Sequence, residues 1–160
     1  MNFLENYNKW MQIKESMSLA HETAKISPCL KKKVGCVLIR VRQGKILSTG
    51  FGGATDPCKD CVRKTLDWQQ DGCWSIHSEV RAVLKLLTSS KGKIKKPEEI
   101  TAVVTHGPCD QCIKYLHYFG ITKIVYDIEY HNDYSKWIDK GMQIYSFDQL
   151  KEKLRYAIVS

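Results

Sequence analysis

His77-Ser78-Glu79, read together with Pro108-Cys109-Asp110-Gln111-Cys112, is the stretch around which the chain is organised. One imidazole and two thiols in a Cys-x-x-Cys pair supply three ligands of the zinc-binding type. Glu79 stands two residues after the imidazole and is left free for proton transfer. Neither half is informative alone, because a Cys-x-x-Cys serves a metal, a redox pair or nothing at all. In this order, with a helical pattern after each, the two halves point to a catalytic metal centre, against a structural zinc or coincidence. Helices starting at His77 and Cys109 aim two partially positive N-termini at one point, which favours the thiolates that bind metal. Three protein ligands leave a fourth tetrahedral position open to water, whose pKa zinc lowers to about 7. His77, Cys109 and Cys112 are therefore the candidate ligands and Glu79 the candidate catalytic residue. The alternative for Glu79 is a solvated carboxylate favoured by the helix dipole.

Working outward, Phe3 to Lys25 reads as an amphipathic helix with Phe3, Tyr7, Trp10, Met11, Met17, Ala20 and Ala24 on its apolar stripe. His21 lies on or beside that stripe and reads as a hydrogen-bonded core histidine. Ser27-Pro28 breaks the helix. Val34 to Val41 and Lys45 to Phe51 read as an antiparallel pair joined at Gln43-Gly44, and Gly50-Phe51-Gly52-Gly53 as a flexible loop where backbone can approach a ligand. Ser78 to Leu87 is expected to be helical with Val80, Val83, Leu84 and Leu87 on one face. Ile100 to Val104, Asp110 to Phe119 and Ile121 to Tyr126 read as strand, helix and strand, with Gly120 as C-cap and a right-handed parallel crossover. Tyr134 to Lys140 reads as a short helix, Met142 to Phe147 as an edge strand, and Asp148 to Tyr156 as a closing helix capped by Asp148.

The least regular region, Asp56 to Ser75, holds Cys58, Cys61 and Cys73. A loop of that length needs something to hold it, and three thiols invite a second zinc. Seven cysteines with two Cys-x-x-Cys pairs favour metal over disulfides, hence a reducing compartment, the cytoplasm. No apolar run approaches transmembrane length and no signal-peptide pattern opens the chain, so a soluble single domain over 1–160 is expected, with no membrane partner. The formal charge of +8, from 25 basic and 17 acidic residues, is concentrated at Lys31-Lys32-Lys33 and between Lys91 and Lys96. Such a field attracts phosphate on a mononucleotide or on a strand, or is simply solvated.

With these motifs placed, the chain resembles the deoxycytidylate deaminase branch of the cytidine deaminase superfamily. The resemblance runs through Cys29-Leu30-Lys31-Lys32-Lys33-Val34-Gly35-Cys36-Val37-Leu38, Leu47-Ser48-Thr49-Gly50-Phe51-Gly52-Gly53, the two zinc motifs, Val104-Thr105-His106-Gly107-Pro108-Cys109 and Gly120-Ile121-Thr122-Lys123-Ile124-Val125-Tyr126. It implies a three-layer α/β/α fold, a mixed five-stranded sheet with helices on both faces. It also implies a homo-oligomer, commonly a hexamer, and zinc-dependent hydrolysis of dCMP to dUMP and ammonia in supply of thymidylate synthesis. By the same resemblance Phe51 and its glycines match the substrate loop, Thr105 and His106 lead into the zinc cysteines, and Tyr126 is an aromatic near the pyrimidine. Each also has an ordinary reading as core, strand or loop residue. Cys58-x-x-Cys61 followed by Arg63, with Cys73 four residues before His77, is similar to a second, structural zinc pattern of the family, with His21 or Cys29 as candidate fourth ligands.

Three positions depart from the family pattern. Ser78 replaces Ala between ligand and carboxylate; Gly52 replaces the substrate-loop Asn; Arg81 replaces the Asn two residues after the catalytic Glu and places a cation where it could meet a phosphate or a neighbouring carboxylate. Two other readings compete with a dCMP enzyme. One keeps the chemistry on cytosine in single-stranded nucleic acid or on another cytosine nucleotide or nucleoside, using the basic surface and exposed aromatics. The other is a noncatalytic zinc-stabilised binding module, against which the retained Glu79 argues.

Overall fold

A computed structural model describes residues 3–62, 72–130 and 133–159. The chain opens with α1 (Phe3–Lys25), then β1 (Gly35–Arg40), a short 3-10 turn and β2 (Lys45–Phe51). After α2 (Ser78–Ser89) come β3 (Ile100–His106), α3 (Asp110–Tyr118), β4 (Lys123–Ile128), α4 (Ser135–Ile138), β5 (Gln143–Ser146) and α5 (Phe147–Val159). The five strands form one mixed sheet in the order β2-β1-β3-β4-β5. β1 pairs antiparallel with both β2 and β3; β3 and β4 run parallel, as the strand-helix-strand spacing predicted, and β5 adds to β4 in the same direction.

Strict alternation along the central strands divides the core into two layers. Cys36, Leu38, Ala102, Val104, Ile124 and Tyr126 face α2 and α3, where they meet Ala82, Val83, Leu86, Ile113 and Leu116. Val37, Ile39, Val103 and Val125 face the other way, onto Ile13, Met17 and Ala20 of α1 and Leu150 and Leu154 of α5. The result is the expected three-layer α/β/α arrangement.

Two glycines set how closely the helices lie on the sheet. A Cβ on Gly35 would stand 2.0 Å from the Ala20 carbonyl oxygen, and one on Gly50 would stand 2.2 Å from the Ser78 carbonyl oxygen and 2.6 Å from the Ala82 nitrogen. That approach corrects the expected helix faces. α2 turns its small residues, Ser78 and Ala82, to β2 and buries Glu79, Val83 and Leu86, which leaves Leu84 exposed. In α1 the sheet side is Asn6, Ile13, Ser16, Met17, Ala20 and Ala24, and Tyr7 is exposed.

Of the other helix ends, one is as expected and one is corrected. α3 ends with Gly120 in the left-handed region, its N–H bonded to the His117 carbonyl and that of Ile121 to Leu116, a Schellman-type stop. α5 is not capped by Asp148. Ser146 and Gln149 cap it reciprocally: the Ser146 hydroxyl accepts from the Gln149 N–H and the Gln149 side-chain oxygen accepts from the Ser146 N–H. Among the described residues no helix is long and apolar enough to cross a membrane.

Gly50→Ala must push backbone against backbone and is expected to cost about 1–3 kcal/mol. Gly52→Ala, where the nearest atom to a Cβ is 3.7 Å away, should stay within about 1 kcal/mol of wild type. Chemical denaturation of the two variants checks this contrast.

Candidate active site

The residues at the entrance to two helices build the site. His77 is the N-cap of α2 and Cys109 the N-cap of α3, both with extended backbone, and neither side chain caps its helix. Their carbonyls begin the helical ladder, accepting from Arg81 and Ile113. The side chains are thus turned away from the helix ends and toward each other. Nδ1 of His77 lies 3.2 Å from Sγ of Cys112 and 3.5 Å from Sγ of Cys109. The three donor atoms all lie within 4.8 Å of one another, and among the described residues no other trio of His, Cys, Asp or Glu donors does so.

These residues fit zinc. For ligands at the usual Zn–N and Zn–S distances a tetrahedral edge is about 3.5 Å, close to the separations observed. The donor chemistry agrees as well, since Cys109 is already a thiolate near neutral pH. A hydrogen bond from the Cys112 thiol, and contacts with the His77 ring, bring its pKa down to about 4. Cys112 is held as the partner thiol, its pKa raised by that same hydrogen bond and by burial. A cation between the two sulfurs would take the place of that shared proton.

Glu79 is the buried charge of the site, only 4% exposed. Burial raises its carboxyl pKa against the lowering pull of His77, its own backbone N–H and the Ser78 hydroxyl. Ser78, itself fully buried, donates to Oε2 of Glu79 at 2.9 Å. A carboxylate with its pKa moved toward neutrality is suited to taking up and releasing protons.

The remaining site residues predicted from sequence divide into two groups. Thr105 is buried beneath the approach to Cys109; its oxygen accepts from the Gly35 N–H and shares a hydrogen bond of 3.0 Å with Nδ1 of His106. His106 is neutral, because burial and the nearby Lys32 lower its pKa to about 4. Tyr126 is a core residue of the α2/α3 side, its ring 5.7 Å from that of Tyr134. Tyr134 in turn donates to the Pro108 carbonyl and crowds Gly107, so the turn into Cys109 is braced from behind.

Phe51, Gly52 and Gly53 do not form the flexible loop expected. Each carbonyl is held: Phe51 and Gly53 by Arg81, Gly52 by the Ser27 hydroxyl. Arg81 therefore meets backbone carbonyls and the face of Phe51, not a carboxylate. His21 is no core histidine; its Nε2 pairs with Asp127 at 2.7 Å on a half-exposed surface. Cys29, by contrast, lines one cavity together with Cys58, Cys61 and Cys73. Arg63 lies outside the described residues.

Sequence reasoning missed Ser27, read only as a helix breaker, and passed over Ser78 as a small substitution. A hydroxyl beside a buried carboxylate was the available signal for Ser78. Ser27 carried none, because its partner is a carbonyl 25 residues away.

The layered sheet and the ligand trio define a zinc deaminase-type centre. Residues 11–128 match the family model described as the cytidine and deoxycytidylate deaminase zinc-binding region, and the chain belongs to that family. It is similar to the deoxycytidylate deaminase of Saccharomyces cerevisiae, 28% identical over 124 residues, which cover 73% of this chain and 38% of that protein. The deoxycytidylate deaminase of Schizosaccharomyces pombe is 27% identical over 126 residues, 73% of this chain and 37% of that one. The chain thus spans less than two fifths of the length of these two curated relatives. Among solved structures, the dCMP deaminase of cyanophage S-TIM5 in complex with dCMP and dUMP has a TM-score of 0.62 at 26% identity, covering 83% of this chain and 94% of that one.

His77→Ala, Cys109→Ser and Cys112→Ser should each lower zinc content by about one equivalent per chain. Elemental analysis of the purified variants reads this directly.

Proposed function

We propose that the chain is a single-domain enzyme that hydrolyses dCMP to dUMP and ammonia. The observation that carries this reading is the Glu79 carboxylate, buried and raised in pKa beside the His77, Cys109 and Cys112 trio. The relatives from two yeasts and the cyanophage structure, all named as deaminases of this nucleotide, favour dCMP over other cytosine compounds. When bound, zinc supplies an acidified water in its open fourth position. Glu79 moves the protons: it accepts one from the attacking water and gives it to the pyrimidine N3, then takes the second from the new C4 hydroxyl and delivers it to the departing amine. The C4–O bond forms first and the C4–N bond breaks afterwards, so ammonia leaves as C4 becomes a carbonyl. Ser78 orients the carboxylate during these transfers. Phe51, Gly52, Thr105, His106 and Tyr126 border the nucleotide in this reading, with Arg81 behind the first two.

A second zinc is proposed at the cavity lined by Cys29, Cys58, Cys61 and Cys73. Four thiols, two of them in a Cys-x-x-Cys, suit a structural site in chemistry. The Lys32 backbone N–H donates to Sγ of Cys29 at 3.4 Å and orients that sulfur. Cys29 is the fourth ligand in this proposal, and His21, engaged with Asp127, is not. Binding would draw in sulfurs that otherwise stand apart. The free state of all seven cysteines favours a reducing compartment, and we place the enzyme in the cytoplasm. Exposed Leu84, Tyr115 and Tyr118 on the outer sides of α2 and α3 favour self-association, a hexamer included.

The reading is tested by ammonia release from dCMP, CMP, dCTP, deoxycytidine and a cytosine-containing single strand. A preference for dCMP that changes little with salt is expected; turnover of the strand alone, with steep salt dependence, would replace the mononucleotide reading. Glu79→Gln should retain zinc while kcat falls by roughly 10²- to 10⁴-fold. For the four-thiol site, about two zinc equivalents per chain are expected, falling to about one in Cys58→Ser or Cys73→Ser with the catalytic ion retained.

A further inference from the structure

A cation in the first turn of a helix opposes the helix dipole, so Arg81, the fourth residue of α2, needs acceptors to be held there. It finds two in the chain leaving β2. Nε donates to the Phe51 carbonyl and Nη2 to the Gly53 carbonyl, both at 2.8 Å, and the guanidinium carbon lies 4.4 Å from the centroid of the Phe51 ring. In extended chain, carbonyls two residues apart point the same way, and a planar fork of N–H donors can take both at once. The intervening Gly52 carbonyl points the opposite way and is taken by the Ser27 hydroxyl.

The same segment is tied to the residue before the metal ligand. Gly53 and Ile76 exchange both backbone hydrogen bonds at 3.0 Å, and Gly52 donates to the Val34 carbonyl at 2.8 Å. The Arg81 N–H in turn donates to the His77 carbonyl at 3.0 Å. A closed circuit therefore runs from Gly53 to Ile76, along the chain to His77, across to Arg81 and back to Gly53. It contains a metal ligand and encloses the helix turn that carries Glu79.

We propose that Arg81 is a positioning residue whose guanidinium fork locks the Phe51–Gly53 segment to the first turn of α2, so that the substrate border and the His77–Glu79 turn move as one body. Gly52 brings no side chain to that border. What the segment offers a ligand is its backbone and the Phe51 ring, and Arg81 fixes both. The part of this proposal that concerns substrate rests on the reading that Phe51–Gly53 borders the nucleotide; the locking itself does not.

The test compares zinc-loaded Arg81→Ala and Arg81→Lys with wild type by amide hydrogen exchange and by steady-state kinetics on dCMP. Arg81→Ala is expected to speed exchange at the Gly52, Gly53 and Ile76 amides by about tenfold or more while the β1 and β3 amides stay protected. KM should rise about tenfold, with kcat within about threefold of wild type. Arg81→Lys, which keeps the charge and loses the fork, should restore neither fully. Unchanged local exchange in Arg81→Ala, or a rise spread over the whole sheet, would overturn the locking role. Wild-type behaviour of Arg81→Lys in both measurements would overturn the role of the fork. Faster local exchange with an unchanged KM would overturn the substrate border. Absence of dCMP turnover by wild type would remove the proposed function, and the exchange data would still decide whether Arg81 locks the segment.

Discussion

The site depends on how closely α2 lies on β2. Gly50 has no side chain, and no side chain could stand where the Ser78 carbonyl and the Ala82 nitrogen press against it. That contact fixes the height and rotation of α2, and with them which residue of its first turn is driven inward. The inward residue is Glu79, a carboxylate that would otherwise be expected at the surface of a helix N-terminus. Gly35 does the same for α1 on the opposite face, where it sits against Ala20 and Ala24. The three layers and the buried carboxylate thus follow from the same requirement for small residues at two helix-strand crossings.

Given that packing, the electrostatics of the centre are set by geometry more than by unusual residues. α2 and α3 both begin with a candidate ligand, His77 or Cys109, in extended conformation, so side chains and positive helix ends converge on one volume. Low dielectric raises the Glu79 pKa, and hydrogen bonds between ligands lower that of Cys109, so two acids of different kinds are moved in opposite directions within one small site. The surroundings add rigidity: Tyr134 braces the Gly107-Pro108 turn behind Cys109, and Asp110 accepts from both Lys136 and Trp137 at the start of α3. Such bracing holds ligand geometry that two helix termini alone would let drift.

Much of this was legible in the sequence because it is carried by local pattern. β2, the span of α1, the parallel crossover and the gathering of His77, Cys109 and Cys112 all rest on periodicity or motif spacing, and all are present as read. The failures share a different origin. Leu84 looked like a core position by period, but the tight crossing at Gly50 favoured Ser78 and Ala82 on the sheet side. Gly50-Phe51-Gly52-Gly53 looked flexible by composition, but the carbonyls of its last three residues are held by Ser27 and Arg81, 25 or more residues away in sequence. The closing helix looked capped by an aspartate, and a serine-glutamine pair one step away does it instead. Long-range side-chain to backbone bonds leave no periodic trace, which is why the hold of Arg81 on Phe51 and Gly53, and of Ser27 on Gly52, went unread.

In the proposed reaction water, with its protons managed by Glu79, replaces the exocyclic amine of dCMP. The most direct test is turnover of dCMP by the zinc-loaded protein in ¹⁸O-enriched water, with the nucleotide product examined by mass spectrometry. The expected product is dUMP bearing one solvent oxygen at C4, formed in step with ammonia. Recovery of unchanged dCMP from protein with full zinc content, or of a product without solvent oxygen, would contradict it.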